Sequence, residues 1–117
     1  MGFYIVVHHP DDPDPTKWAN DWGDDGLLRA ITTPQSVAKR CALARNRGER
    51  IFVHRCAWGG VPATICCSVQ IAEIDGVDRA TALVRFTSAK RIGNEPFVAP
   101  QQGQNWYEAD PPKGASS

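Results

Sequence analysis

The chain has 117 residues and as many acidic as basic side chains, so its formal net charge is zero. That length predicts a single domain able to bury a core without covalent staples, and the balanced charge argues against a general polyanion binder. Its hydrophobic content of 42% and charged content of 22% are those of an ordinary globular protein. No run approaches the roughly 20 apolar residues of a membrane helix. The N-terminus lacks a basic segment followed by an apolar one. The expectation is one cytoplasmic domain over residues 1–109, without a membrane partner, followed by a frayed Pro-, Gly- and Ser-rich tail over 110–117.

In chain order, Phe3-Tyr4-Ile5-Val6-Val7 is a nearly continuous apolar run and predicts a central strand. His8 and His9 close it, where they either end the strand or enter a site as base or ligand. From Pro10 to Gly26 prolines alternate with aspartates, which excludes a regular helix or a central strand. The aspartate spacing does not match a calcium loop. Trp18 and Trp22 are four apart and are expected to share one face of a short helical turn, either pinning the loop or lining a pocket. Leu27 to Ile31 reads as a brief strand or helical turn.

Thr33 to Ile74 holds most of the organisation. Thr33 is placed to cap a helix, Pro34 to occupy its first position and Gly48 to end it in a left-handed conformation. Val37, Cys41 and Ala44 fall on one line of that helix, and Lys39, Arg40 and Arg47 lie opposite. Ile51 to His54 is β-branched and aromatic, hence a strand. Trp58-Gly59-Gly60 with Pro62 breaks the pattern. Thr64 to Ile74 predicts the longest strand, with Ile65, Cys67, Val69 and Ile71 facing the core and Thr64, Cys66, Ser68 and Gln70 facing away. Asp75-Gly76 turns the chain, and Thr81 to Thr87 returns as a strand with Ala82, Val84 and Phe86 on one face. Phe97-Val98-Ala99 adds a short edge strand, and Trp106-Tyr107 folds back on the body.

Charge is unevenly spread. Residues 1–28 hold six aspartates and one lysine, whereas residues 29–60 hold seven basic side chains against Glu49 alone. The basic stretch permits a patch for phosphate or for an acidic protein, or simply a solvated helix face. Four cysteines, Cys41, Cys56, Cys66 and Cys67, show no C-x-x-C spacing, so they read as reduced, buried small hydrophobes. Cys66 and Cys67, as strand neighbours, are expected to point to opposite faces, and a bridge between them would be strained. No nucleophile elbow, phosphate loop, dinucleotide fingerprint or zinc-deaminase signature occurs. Neither a cofactor nor a metal is expected, and an enzyme with an unmarked site is the least favoured of three readings.

The phrase Gly48-Glu49-Arg50-Ile51-Phe52-Val53-His54 after a helix, the long strand Ile65 to Glu73 ending in Ala72-Glu73-Ile74, and Val84-Arg85-Phe86 together resemble the PUA-like superfamily, especially its EVE and ASCH branches. The resemblance spans residues 3–87. The Asp/Pro loop and the vicinal cysteines are not part of that pattern, and the lysine-containing ASCH catalytic pattern is not evident. The resemblance implies an α+β fold: a small mixed or antiparallel barrel or sheet of about five strands with one main helix packed on it. It also implies a cleft that holds a nucleic-acid base, often a modified one. The stacking candidates are then Trp18, Trp22, Trp58 and Trp106. The phosphate candidates are Arg40, Arg47, Arg50 and Arg55, and the base-edge candidates are His8, His54 and Ser68. The rival reading is a protein-interaction module, such as a phage or mobile-element inhibitor or an immunity protein, that uses its acidic Asp/Pro loop.

Overall fold

The computed structural model describes residues 2–13, 20–92 and 105–110. The described residues form an α+β fold of seven strands in one sheet and one helix. The elements are β1 (Gly2–Val7), β2 (Asn20–Trp22), β3 (Leu28–Pro34), α1 (Gln35–Arg47), β4 (Ile51–Arg55), β5 (Thr64–Gly76), β6 (Thr81–Arg91) and β7 (Trp106–Ala109). Across the sheet the order is β2-β3-β6-β5-β4-β1-β7. β1 and β4 are parallel, and every other pairing is antiparallel. The sheet ends at β2 and β7 and does not close into a barrel.

The expected architecture is thereby corrected in two respects, strand count and closure. The unforeseen strands are the edges. β2 has three residues and β7 four, too short to display a period. Trp22 is extended in β2, not on the helical turn expected of it. Trp18, the expected edge strand at Phe97-Val98-Ala99 and the tail residues 111–117 lie outside the described residues. Among the described residues no helix is long and apolar enough to cross a membrane.

The helix starts one turn-residue later than its sequence suggests. Thr33 is buried in β3, and Pro34 takes the N-cap position without a side-chain hydrogen bond. The β-branched pair Thr32-Thr33 extends the strand and pairs with Leu83 and Ala82 of β6. Gln35 anchors the helix start instead: its N–H donates to Ala80 O and its side-chain amide to Thr81 O, both at 2.9 Å. At the other end Gly48 adopts φ 66°, and the N–H groups of Gly48 and Glu49 reach back to Arg45 O and Ala44 O. This satisfies carbonyls that the helix leaves over.

One face of the sheet packs on α1. Phe3, Ile5 and Val7 of β1, Ile51 and Val53 of β4, Cys67, Val69 and Ile71 of β5 and Ala82 and Val84 of β6 join Val37, Ala38, Cys41 and Ala44 of the helix in one buried cluster. The expected apolar line of α1 is therefore the buried one. The other face, around β1, β4 and β7, carries a second cluster of Tyr4, Phe52, Ile65 and Tyr107. Because β1 is covered on both sides, its run is apolar throughout.

Arg40 departs from the expected exposed helix face. Its side chain is only 9% exposed, and its guanidinium pairs with Glu49 at 3.2 Å and Glu108 at 3.1 Å and lies over the Phe3 ring at 4.3 Å. It bolts α1 to the β1–β7 edge. Lys39, Arg45 and Arg47 remain exposed.

A Cβ at Gly48 would meet nothing within 4 Å, so the positive φ alone resists substitution. Gly48→Ala should therefore lower unfolding free energy by about 1 kcal/mol, and Gly48→Asn by clearly less, because Asn tolerates the left-handed region. Urea unfolding of the three proteins measures the difference. Equal losses for Ala and Asn would contradict this account of the cap.

Candidate functional site

The carboxyl ends of the parallel strands β1 and β4 bring chemistry-bearing side chains to one rim of the sheet. His8 and His9 follow β1; Arg55 ends β4 and Cys56 follows it. The Cys56 N–H donates to Val7 O at 2.9 Å, which carries the pairing out to the rim. On the far side of β1, Val6 N–H donates to Asn105 O at 2.9 Å, just before β7. Open sheets commonly bind ligands beyond the carboxyl ends of their parallel strands.

The imidazoles there are oriented by their neighbours. His9 is buried, and its Nδ1 accepts the Asp11 N–H at 3.1 Å. The Asn20 side-chain amide nitrogen, a donor, lies 3.3 Å from His8 Nδ1. The Asp11 carboxylate also lies 3.7 Å from His9 Nδ1. Trp58 stacks on the His9 ring, with centroids 5.7 Å apart and planes 22° apart. Trp58 and Val61 bond mutually through both backbone N–H groups, and between them Gly59 and Gly60 take φ 58° and 82°. Such a pair of positive φ values suits the tightest hairpin turn and is open to glycine. The turn holds the indole out, 38% exposed. Arg55, three residues before it, is half-buried, and its Nε has no hydrogen-bond partner among the described residues.

Behind the rim, on the face away from α1, the rings form a closed stack. Tyr4 and Tyr107 lie parallel with centroids 4.8 Å apart, and Phe52 sits 5.1 Å from Tyr4. His54 Nδ1 and the Tyr107 hydroxyl are 2.9 Å apart, both residues buried. Burial holds the His54 imidazolium below its ordinary range and pushes the Tyr107 phenol up, the latter helped by Tyr4 and Cys56 nearby. Burial, with the Asp110 carboxylate, also raises Tyr4 to about 12. Neutral hydrogen-bonded side chains of this kind stiffen a site.

The other candidates go elsewhere. Arg50 donates to Ser68 Oγ at 3.0 Å, to Ser68 O at 3.1 Å and to Ser88 O. Ser88 has φ 53° within a register shift between β5 and β6, so Arg50 and Ser68 clamp a β-bulge. Arg47 is exposed and meets Glu49 at 3.5 Å. Trp106 is half-buried and meets Phe3 edge-on at 5.7 Å, on the helix-covered face. Trp22 lies on the opposite edge strand, against the same core, and its indole nitrogen is buried without a partner among the described residues. Trp22, Trp58 and Trp106 thus stand on two different edges and a turn, whereas His8, His54, Arg55 and Trp58 meet around one end of β4. His9 joins them, as one of the two readings of the His8-His9 pair allowed, and Asn20, Cys56 and Tyr107 join them without having been named as site residues. For His9 the signal was its place beside His8. Asn20 and Tyr107 gave none, because pairing of distant strands brings them in. No group of three His, Cys, Asp or Glu side chains converges to hold a metal among the described residues.

No protein family, curated protein or solved structure matches this chain.

Because folding depresses the His54 pKa below its unfolded 6.5, the unfolded chain binds the extra proton more readily. Stability from this group is complete above that value and falls as pH drops below it. His54→Gln should lose less stability than the wild type between about pH 6.5 and 5. Urea midpoints at the two pH values check this, and an unchanged acid sensitivity in the variant would count against it.

Proposed function

We propose that this chain is a small non-enzymatic binding module that recognises an unpaired or modified nucleic-acid base at the β1–β4 rim. The observation that carries the reading is Trp58, a large aromatic held partly exposed on a two-glycine turn with His9 stacked behind it. A base stacks readily on such a ring, whatever its sequence. Near it the imidazoles of His8 and His9 and the Arg55 guanidinium, whose Nε has no hydrogen-bond partner among the described residues, suit a base edge and a phosphate. The rigid, neutral Tyr4–Tyr107–His54 stack supports the rim from behind.

This reading redistributes the roles implied by the resemblance to PUA-like domains. Trp58 alone of the described tryptophans serves as the platform. Arg55 serves the phosphate beside it, and exposed Arg47 and Lys39 supply a more distant positive field. Arg40, Arg50 and Ser68 serve the fold, because Arg40 is held by Glu49 and Glu108 and Arg50 is bonded to Ser68.

Titration of fluorescence-labelled single-stranded oligonucleotides at two salt concentrations tests it. Affinity should fall with salt, by a logarithmic slope near −0.7 per phosphate contact. Trp58→Ala should weaken binding by about 1–3 kcal/mol, whereas Arg47→Glu should chiefly reduce the salt slope. A wild type without salt-sensitive binding, or a Trp58→Ala protein that binds as well, overturns the proposal. The protein-interaction reading would then lead, with the exposed carboxylates of Asp11, Asp21, Asp24 and Asp25 as its contact surface.

A further inference from the structure

Cys66 and Cys67 do not diverge to opposite faces as strand neighbours ordinarily do. The register of β4 on β5 runs Val53 opposite Cys67 and then His54 opposite Ile65, so Cys66 is an extra residue, a β-bulge. The bulge interrupts the alternation and leaves the two sulfurs 3.6 Å apart. Both thiols are free, with residue exposures of 4% and 0%. Their surroundings differ. Cys66 Sγ approaches Val53 O at 3.8 Å. Cys67 shares the sulfur contact with Cys66 and accepts the Leu28 N–H, with Arg91 and Arg55 supplying positive charge nearby. Donors and cations of this kind favour a thiolate on Cys67, and the shared contact disfavours one on Cys66. The pair also sits where the β5–β6 ladder ends, with Cys67 opposite Arg91 and Ile92 N–H donating to Cys66 O. Ladder ends open locally at small cost, which gives a small reagent access.

We infer that the adjacent sulfurs of Cys66 and Cys67 form a redox modification site, in which hydrogen peroxide oxidises Cys67 and Cys66 then closes on it as a disulfide. In the first step the Cys67 sulfur attacks one peroxide oxygen and the O–O bond breaks. The leaving hydroxide takes a proton and departs as water, and Cys67 becomes a sulfenic acid. In the second step the Cys66 sulfur attacks the Cys67 sulfur and expels hydroxide, which leaves as water with the Cys66 thiol proton. Two thiols and one peroxide give one disulfide and two waters. Adjacent Cα atoms are about 3.8 Å apart across a trans peptide, short of the roughly 4.4–6.8 Å that disulfides prefer. Such a bond is strained, easily reduced and suited to reversible modification.

The chain contains its own controls. Burial pushes the Cys41 thiol up to about 12, and Cys56 is only partly buried. Trypsin releases residues 56–79 as one fragment holding Cys56, Cys66 and Cys67. The folded full-length protein is treated with one equivalent of hydrogen peroxide at neutral pH. It is then denatured, blocked with N-ethylmaleimide, digested and sequenced by mass spectrometry. The expected fragment is lighter by two hydrogens, carries maleimide on Cys56 alone, and reverts with dithiothreitol. Cys41 stays fully blockable. In Cys66→Ser, Cys67 should be trapped as a sulfenic acid by dimedone. In Cys67→Ser, oxidation at Cys66 should slow by about tenfold, the difference between a thiol that ionises readily and an ordinary one. Maleimide on both Cys66 and Cys67 in the treated wild type, or preferential oxidation of Cys56 or Cys41, overturns the inference. The wild-type readout needs no core substitution, so a variant that fails to fold leaves the test intact.

Discussion

The parallel pairing of β1 with β4 is the constraint on which the rest of this structure depends. A parallel pair cannot be joined by a tight turn, so the chain between the two strands must travel back along the sheet. It does so through β2, β3 and α1, and that crossover lays the helix on one face. It also decides where the chemistry collects. His8 and His9 leave β1 at the same end at which Arg55 and Cys56 leave β4, although more than forty residues separate them in the chain. β7 then pairs antiparallel on the free side of β1 and delivers Tyr107 opposite Tyr4. β1 is buried on both faces as a result, and its continuous apolar run follows from that position.

The excess of positive charge in residues 29–60 is partly consumed by this construction. Arg40 spans helix, β1 and β7, held by two carboxylates and an aromatic face. The arginine is enclosed while its two carboxylates stay partly solvated, so either one alone still pairs it. Arg50 is engaged by two carbonyls and a hydroxyl around a bulge. A charge count along the chain cannot distinguish such bolts from solvated cations, because the acidic and carbonyl partners come from distant elements. Glu108, which completes the Arg40 site, lies 68 residues away.

Much of the framework was legible because it is periodic or carries a cap. The apolar line of α1, the left-handed Gly48, and strands β1, β4, β5 and β6 all follow from local pattern. The failures have physical causes of three kinds. Thr33 is a good cap by composition, but the β-branched run before Pro34 pairs with β6, and tertiary pairing outweighs propensity. β2 and β7 are too short to show alternation, so closure and strand count were misjudged. In the site, His8, His54, Arg55 and Trp58 could be nominated by residue type and by flanking breakers. Their meeting with Asn20 and Tyr107 depends on which strands adjoin, and no local signal encodes that.

The bulge at Cys66 shows how one residue settles two environments at once. Without it, the register would continue with His54 opposite Cys66 and Ile65 opposite Arg55, on the helix-facing side. A slip of one residue exchanges every side chain between faces. The bulge absorbs the slip. Ile65, expected beside Cys67 in the main core, instead joins Tyr4, Phe52 and Tyr107 on the opposite face. Arg55 faces Thr64, and both thiols stay close together at the main core. The alternation predicted for β5 therefore holds from Cys67 to Ile71 and reverses before it. The reversal seals the aromatic stack behind the rim and creates the thiol pair beside Arg55. Those two features occupy opposite faces of the same short stretch of sheet, and a single inserted residue accounts for both.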